Sequence, residues 1–362
     1  MREVLQRMPE LLLPWFAENR RDLPWRRDRE PYHIWVSEIM LQQTRVEAVR
    51  GYYTRFLQAL PTVADLAEVP EDVLGKLWEG LGYYSRMRNL RAAAREIREK
   101  WGGEIPRDYD AIRSLPGVGD YTAGAICSIA YDMPTPAVDG NVLRVWARLL
   151  EDERPVDLPA VRREVREALA QVYPAGQCGD FTQALMELGA TVCLPNGAPL
   201  CGSCPMAGLC RAGASGRWRE LPCRLPKRTR RVEDYTVFIL DWDGRFALEQ
   251  RGPAGLLAGL WQFPNVPGKL EAQEALDQAA RWGAAPVDLQ RSADRTHIFT
   301  HIRWNLRCCR IGCRAPAPGF QWMTAREIRE QIPLPSAFRQ FGIFWSHKKR
   351  LPHQWTRVRQ CV

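Results

Sequence analysis

The sequence has no stretch approaching the ~18 consecutive apolar residues of a membrane span, so no membrane partner is expected. Its opening, MREVLQRMPELLLPWFAENRR, breaks its apolar residues with charges and a proline. It lacks the unbroken apolar core of a secretory signal and reads as the start of a cytoplasmic protein. Internal repeats and low-complexity tracts are absent too, which leaves ordinary globular domains. Two are the natural division of 362 residues. Acidic charge is in deficit: 51 Lys and Arg against 42 Asp and Glu leave a net charge of +9 and a pI near 9.1. That balance favours a polyanionic partner or an anionic surface without choosing between them.

Also missing is a complete nucleotide-binding loop. LPGVGDYTAGA, residues 115–125, has two close glycines, but no Gly-Lys-Ser/Thr follows at the offset a P-loop requires. A dinucleotide fingerprint needs a third glycine where Thr122 stands. Asp139 does fall where a ribose carboxylate is expected, yet the preceding DYDAIRSLP is not a strand. What remains is a tight turn opening a helix at about Asp120. Its unpaired N–H groups either receive one anionic oxygen or merely join two helices.

Residues 4–210 follow a helical pattern. YHIWVSEIMLQQTRVEAVRGYYTRFLQAL, for instance, sets Trp35, Ile39, Val46, Val49, Tyr53 and Phe56 at helical spacings. The breaks between such segments are Pro- and Gly-containing turns. Residues 211–233 have no hydrophobic period and carry a dense basic run, which reads as a linker. Beyond it, YTVFILDWDGRFALEQR predicts two strands joined at Asp-Gly, and THIFTHIRWNLRCCRIGC a second strand pair. The expected architecture is multidomain: an all-α domain over 1–210, a linker over 211–233 and an α+β domain over 234–362.

Cysteine is plentiful, with eleven residues, and four are clustered. Cys193, Cys201, Cys204 and Cys210 form C-x7-C-x2-C-x5-C. In a reducing compartment such a cluster reads as metal ligands. Zinc is the general alternative, but zinc ribbons usually carry two C-x2-C knuckles and only one pair here has that spacing. An iron-sulfur cluster accepts uneven spacing because its four irons spread the ligands over a larger body. The other cysteines read as core or strand residues, Cys127 among them.

The turn LPGVG, Asp139 and the cysteine loop 193–210 together resemble the helix-hairpin-helix DNA glycosylases that carry a 4Fe-4S cluster. Within that superfamily, LPWRRDREPYHIWVSEIMLQQTRV, GLGYYSRMRNL and AVDGNVLRV look like the adenine DNA glycosylase (MutY-type) family. The match runs from residue 20 to 210, with a first cysteine gap of seven residues where the family usually has six. The resemblance implies a monomeric, monofunctional base-excision repair enzyme. It hydrolyses the N-glycosidic bond of adenine mispaired with 8-oxoguanine, or with guanine, in duplex DNA.

The resemblance also implies residue roles. The turn, Leu115, Gly117, Val118 and Gly119, holds a DNA phosphate, fixing register without reading sequence while a nucleotide leaves the stack. Glu38, among Trp35, Ile39 and Met40, is the acid that protonates adenine N7, its pKa raised by desolvation. Asp139 is expected to be held ionised by backbone donors against the charge developing at C1′, and to form a covalent sugar intermediate. Asn141 supports it. Tyr121 stands where bifunctional relatives such as endonuclease III carry a nucleophilic lysine, so its hydroxyl bonds the Asp139 region or the sugar and lyase chemistry is disfavoured. Gln43 and Tyr83 match residues that probe or wedge into the stack, with Gln42 and Tyr84 as their register alternatives, and Arg26 matches one near the extruded adenine.

Residues 234–362 resemble the Nudix-like domain that completes the family, most recognisably in GLLAGLWQFPNVPG. The R-E-x-x-E-E array of a magnesium-dependent hydrolase is missing: Trp282 stands where it begins, followed by GAAPVD. Phe299, Thr300 and His301 resemble the family's Phe-Ser-His loop that senses 8-oxoguanine, with threonine for serine. Two other functions stay open on the residues alone, an endonuclease III-like glycosylase-lyase and a non-catalytic metal-bearing DNA-binding protein.

Overall fold

The computed structural model describes residues 2–226 and 229–345. Residues 227–228 of the expected linker and 346–362 of the expected second domain lie outside the described residues. Two compact units are present: residues 1–70 with 83–227, and residues 71–82 with 228–362.

The chain begins with α1 (Arg2–Gln6), α2 (Met8–Asn19), α3 (Pro31–Leu41), α4 (Val46–Ala59), α5 (Val63–Glu68) and α6 (Glu71–Trp78). It continues with α7 (Tyr84–Trp101), α8 (Tyr109–Ser114), α9 (Asp120–Tyr131), α10 (Gly140–Leu150), α11 (Pro159–Ala170), α12 (Cys178–Thr191) and α13 (Arg211–Ala214). Local chemistry sets several starts. Thr62 and Asp65 form a capping box on α5, and Asp108 and Asp139 cap α8 and α10 by accepting from backbone N–H groups. One core of this unit gathers Leu12 and Phe16 of α2, Val145 and Trp146 of α10, and Phe181 and Leu185 of α12.

The long helical period from Tyr32 to Leu60 is not one helix. Gln43 takes a left-handed conformation (φ 57°), ending α3 at Leu41 and restarting the chain as α4 at Val46. Periodicity missed the break because the buried faces of both helices stay nearly in phase across it. The turn 115–119 joins α8 to α9, which starts at Asp120 where turn chemistry placed it.

The second unit is α+β. Its strands are β1 (Arg231–Trp242), β2 (Arg245–Gln250), β3 (Trp261–Gln262), β4 (Asn265–Pro267), β5 (Pro286–Ile298), β6 (Ile302–Cys313) and β7 (Gln321–Thr324). Its helices are α14 (Ala272–Arg281), α15 (Ala325–Gln331), α16 (Ser336–Arg339) and α17 (Gly342–Trp345). The sheet runs β3-β2-β1-β6-β5, with β4 also on β1 and β7 also on β2; among the described residues only β1 and β6 pair in parallel. Alternation along β1 sends Val237 and Ile239 into a core with Phe338 and Phe341, and Phe238 and Leu240 into one beneath α14. Asp243 and Gly244 both have positive φ (50° and 73°), the backbone of a two-residue hairpin turn. The expected linker is partly structured, since 211–214 are α13 and 231–233 open β1.

Helix α6 belongs to this second unit although its sequence lies inside the helical half. Lys76 Nζ donates to the Ile332 carbonyl (3.2 Å), and Leu334 N donates to Glu79 Oε1 (3.1 Å). Trp282, where a Nudix glutamate array would begin, is packed edge-on against Phe238 and Phe320 at 4.8 and 5.5 Å. At that position the fold uses an aromatic core contact.

Candidate active site

A cavity of about 340 Å³ opens in the helical unit between α3, α9, α10 and α12, lined by Glu38, Tyr121, Asp139, Asn141, Gln43 and Glu187 among others. That volume is at the lower end of small-molecule pockets. Glu38 is 6% exposed, on the face of α3 that also buries Trp35 and Ile39. Burial drives its carboxyl up to about 7. The Tyr121 hydrogen bond opposes that rise, the nearby Asp139 charge adds to it, and Arg26 opposes it. At neutral pH the group therefore holds a proton part of the time, as a general acid requires.

Tyr121 is in the first turn of α9, and its hydroxyl donates to Glu38 Oε2 at 2.5 Å. Of the partners expected for it within the protein, the Asp139 region is not the one it bonds: the hydroxyl meets Glu38, with Met186 Sδ at 4.0 Å, because α9 packs directly on α3. Burial, then the two carboxylates, raise its own pKa well above the ordinary phenol value, so it stays a protonated donor.

Asp139 is half-buried with one side on the cavity. Its Oδ1 accepts from Asn141 N (2.8 Å) and Val142 N (2.7 Å), and its Oδ2 accepts from Asn141 Nδ2 (2.7 Å). Backbone donors, with Asn141 in support, were expected to hold it ionised, and those donors are in place; enclosure raises its pKa on balance, with the Val142, Asn141 and Arg144 interactions pulling the other way.

Asn141 is held in turn. Arg144 Nη2 donates to Asn141 Oδ1 (2.8 Å) and to the Gly189 carbonyl (2.7 Å), while Arg144 Nε donates to the Cys193 carbonyl (2.8 Å). Gly189 is obligatory to this contact: a Cβ there would lie 2.5 Å from Asn141 Cβ and 3.0 Å from its Cα. A chain of polar contacts thus runs from Asp139 to the start of the cysteine loop.

Arg26 is not a free reader of the cavity. Its Nη2 donates to Glu187 Oε2 at 2.8 Å, and Arg21 engages both oxygens of the same carboxylate at 2.7 Å each. Burial pushes Glu187 up, but the bonds from Arg21 and Arg26 outweigh it and hold the carboxyl at about 2. Sequence reasoning missed Glu187. In FTQALMELGATV it looks like a solvated helix residue, and only the approach of residues 21–26 reveals it as a buried anion on the cavity wall.

Gln43 lines the mouth and Tyr83 is 44% exposed. Both have left-handed backbones (φ 57° and 48°), a conformation that costs a non-glycine residue about 1–3 kcal/mol and that the surroundings must impose. The register alternatives separate here: Tyr84 is buried, and Gln42 turns inward to donate to Thr122 Oγ1 (3.3 Å).

In the turn, Leu115 and Val118 are only 3% and 8% exposed, so their side chains anchor it. Their N–H groups are used internally, on the Ile112 and Leu115 carbonyls. Gly117 has φ 76° and Gly119 precedes the first turn of α9, so the available donors lie at Gly117, Gly119 and the first turn of α9. Arg113 and Arg166 both pair with Asp120 beside them.

Among the described residues no group of three or more His, Cys, Asp or Glu side chains is arranged around a single ion position. Cys193, Cys201, Cys204 and Cys210 instead line a shared cavity of about 250 Å³ with Arg148, Pro199 and Trp218. Arg148 Nη1 donates to Cys193 Sγ at 3.3 Å. Four sulfurs around that volume, with a cation beside one of them, fit an anionic multi-iron cluster.

In the second unit, Phe299, Thr300 and His301 form the tip between β5 and β6. Phe299 packs on His297 and Trp304 (4.5 and 4.9 Å), while Thr300 and His301 are exposed.

Residues 36–171 match the HhH-GPD superfamily of base excision DNA repair proteins, and residues 235–342 match the NUDIX domain. The chain is 36% identical to adenine DNA glycosylase of Rattus norvegicus, the alignment covering 93% of this chain and 78% of that one. It is also 36% identical to adenine DNA glycosylase of Homo sapiens, covering 88% and 70%. Among solved structures, a thermostable thymine-DNA glycosylase superposes with a TM-score of 0.54 at 30% identity, covering 59% of this chain and 98% of that one. A non-covalent endonuclease III–DNA complex gives 0.51 at 25%, covering 60% and 98%.

Proposed function

Since the chain belongs to the adenine DNA glycosylases of the HhH-GPD superfamily, we propose that it excises adenine paired with 8-oxoguanine in duplex DNA by a monofunctional mechanism. The observation that carries this reading is the shared cavity of Glu38 and Asp139, with burial holding Glu38 near neutrality and Tyr121 bonded to it.

The backbone donors of Gly117, Gly119 and the first turn of α9 grip one phosphate while Gln43 and Tyr83 enter the stack and the adenine turns into the cavity. Arg26 and Glu187 form the charged wall against which it is oriented. Glu38 delivers its proton to N7, so the electron pair of the breaking C1′–N9 bond is accepted by a cationic base that leaves as neutral adenine. Asp139, steadied by Asn141 and the first turn of α10, faces the cation that develops at C1′ and forms the covalent sugar intermediate. Water then adds at C1′, breaking the bond to Asp139 and giving its proton to the Glu38 carboxylate left by the first step, which leaves an abasic site and restores both carboxyl groups. With a tyrosine at 121 and no amine there, a Schiff base is not formed at that position and the strand stays intact.

Cys193, Cys201, Cys204 and Cys210 would hold a 4Fe-4S cluster, which supplies rigid cross-linking of the loop 193–210. Thr300 and His301, presented by the anchored Phe299, read the 8-oxoguanine edge; the pairing of donor and acceptor groups at this tip supports that role. The test is incubation with a duplex carrying adenine opposite 8-oxoguanine. Strand scission appearing only after alkali is the expected result. Scission without alkali points to a lyase, and no abasic product to a binding protein.

A further inference from the structure

Arg86, on the first turn of α7, is 9% exposed and takes part in none of the steps above. Its Nη1 donates to the carbonyls of Ile39 (2.7 Å), Met40 (3.0 Å) and Gln42 (2.6 Å), and its Nη2 to Thr44 Oγ1 (3.3 Å). Its guanidinium carbon lies 5.4 Å from the centre of the Tyr83 ring. Its own N–H donates to the Tyr83 carbonyl (2.9 Å).

These contacts converge on three functional parts. Ile39 and Met40 belong to the last turn of α3, one and two residues beyond Glu38. The last turn of a helix leaves its carbonyls unpaired and carries the negative end of the dipole, so a cation there is favourable twice over. Gln42 and Thr44 flank Gln43, whose left-handed backbone ends the helix. Tyr83 has the other strained backbone of the site, and its ring covers the guanidinium. Burial lowers the pKa of Arg86 to about 10, which leaves it cationic at neutral pH.

We propose that Arg86 is a positioning residue that sets Gln43 and Tyr83 in one fixed relation to each other, so that both enter the base stack together and extrusion of the adenine, rather than bond cleavage, depends on it. No single short side chain reproduces this function. The planar fork of arginine reaches four oxygens while one face stays against the ring, whereas a lysine ammonium has three donors on a point charge. The inference rests on reading Gln43 and Tyr83 as the residues that probe the stack.

The experiment compares Arg86→Lys and Arg86→Gln with Tyr83→Ala and Gln43→Ala in the full chain. Extrusion is followed by the fluorescence of 2-aminopurine placed at the adenine position. Single-turnover cleavage is measured on a paired adenine and on one in an unpaired bubble, which needs little extrusion. Arg86→Gln is expected to lower extrusion and paired-adenine cleavage by at least tenfold while cleavage in the bubble stays within about threefold; Arg86→Lys should fall between it and wild type. Equal losses on both substrates in both Arg86 variants would mean that Arg86 serves the fold or Glu38 alone, and would overturn the proposal. If Tyr83→Ala and Gln43→Ala extrude normally, the stack-probe reading fails and the proposal with it. If those two fail to extrude while both Arg86 variants extrude normally, only the role of Arg86 is overturned.

Discussion

Tyr121 and Glu38 are 83 residues apart in sequence and joined by a hydrogen bond of 2.5 Å across the packed faces of α9 and α3. The phenol favours the charged carboxylate while burial favours the neutral one, and the balance leaves Glu38 near the operating pH.

That balance makes Glu38 testable in activity and stability. Glu38→Gln should bind duplex DNA and lose at least ~100-fold in single-turnover excision, the scale of general acid catalysis. In the wild type the rate should fall as pH rises through about 7, as the proton is lost. The folded pKa lies above the ordinary 4.5, so the stabilisation that goes with protonation is complete below 4.5 and is lost as pH rises through about 7. Glu38→Gln, which cannot ionise, should therefore gain on the order of 3 kcal/mol relative to wild type at pH 8 and little at pH 4. Calorimetry at the two pH values checks this, and equal differences at both would contradict it.

Removing the phenol hydroxyl removes a contact that favours ionised Glu38. In Tyr121→Phe the alkaline limb of the pH–rate profile should therefore move to higher pH. Borohydride should not trap the wild type on abasic DNA, whereas Tyr121→Lys places an amine where bifunctional relatives carry theirs and should show trapping. Efficient trapping of the wild type would reveal another amine.

Gly189 allows α12 to touch Asn141. Gly189→Ala adds a Cβ 2.5 Å from Asn141 Cβ, so Asn141 must shift and release Asp139. Overpacking of this kind costs about 1–3 kcal/mol of stability. Excision should fall by roughly a hundredfold, the lower end of the ~10²–10³ lost when a group stabilising a developing charge is removed. DNA affinity should change little. An alanine variant with wild-type excision would show that Asn141 does not position Asp139.

The cysteine cavity predicts a brown protein containing iron and acid-labile sulfide. Elemental analysis after anaerobic purification checks it, and colourless protein with stoichiometric zinc would refute it. Cys204→Ser should lower iron content and disorder the loop 193–210, with DNA binding reduced more than the glycosidic step.

The tip between β5 and β6 is best probed by point substitution. His301→Ala should reduce the preference for 8-oxoguanine over guanine by roughly tenfold, within the ~1–3 kcal/mol of polar base-edge readout. Cleavage of the adenine itself should be retained. Deleting residues 234–362 is a less clean experiment, because it also strips α6 of Ile332, Pro333 and Leu334. If His301→Ala discriminates as well as wild type, the histidine is not a reader.

Much of this protein is local and was therefore legible without coordinates. Pro-Gly-x-Gly specifies a turn because one backbone must go left-handed, and Gly117 does. Asp139 caps α10 through donors two and three residues away, a contact contained in AVDGN. The cysteine spacing, the Asp-Gly hairpin and the division into helical and α+β parts are likewise properties of short segments. Tertiary structure decided what depends on remote partners. Tyr121 meets Glu38 and not Asp139, Glu187 is an anion between two arginines, and Gly189 abuts Asn141. Arg86 binds the end of α3, and the segment 71–82 that carries α6 joins the unit whose other residues begin 146 positions beyond that segment's end, from 82 to 228. The physical reason is range: caps and turns are settled by neighbours within one turn of chain, whereas burial, ion pairing and the pKa of Glu38 are settled by whichever distant side chains packing brings against them.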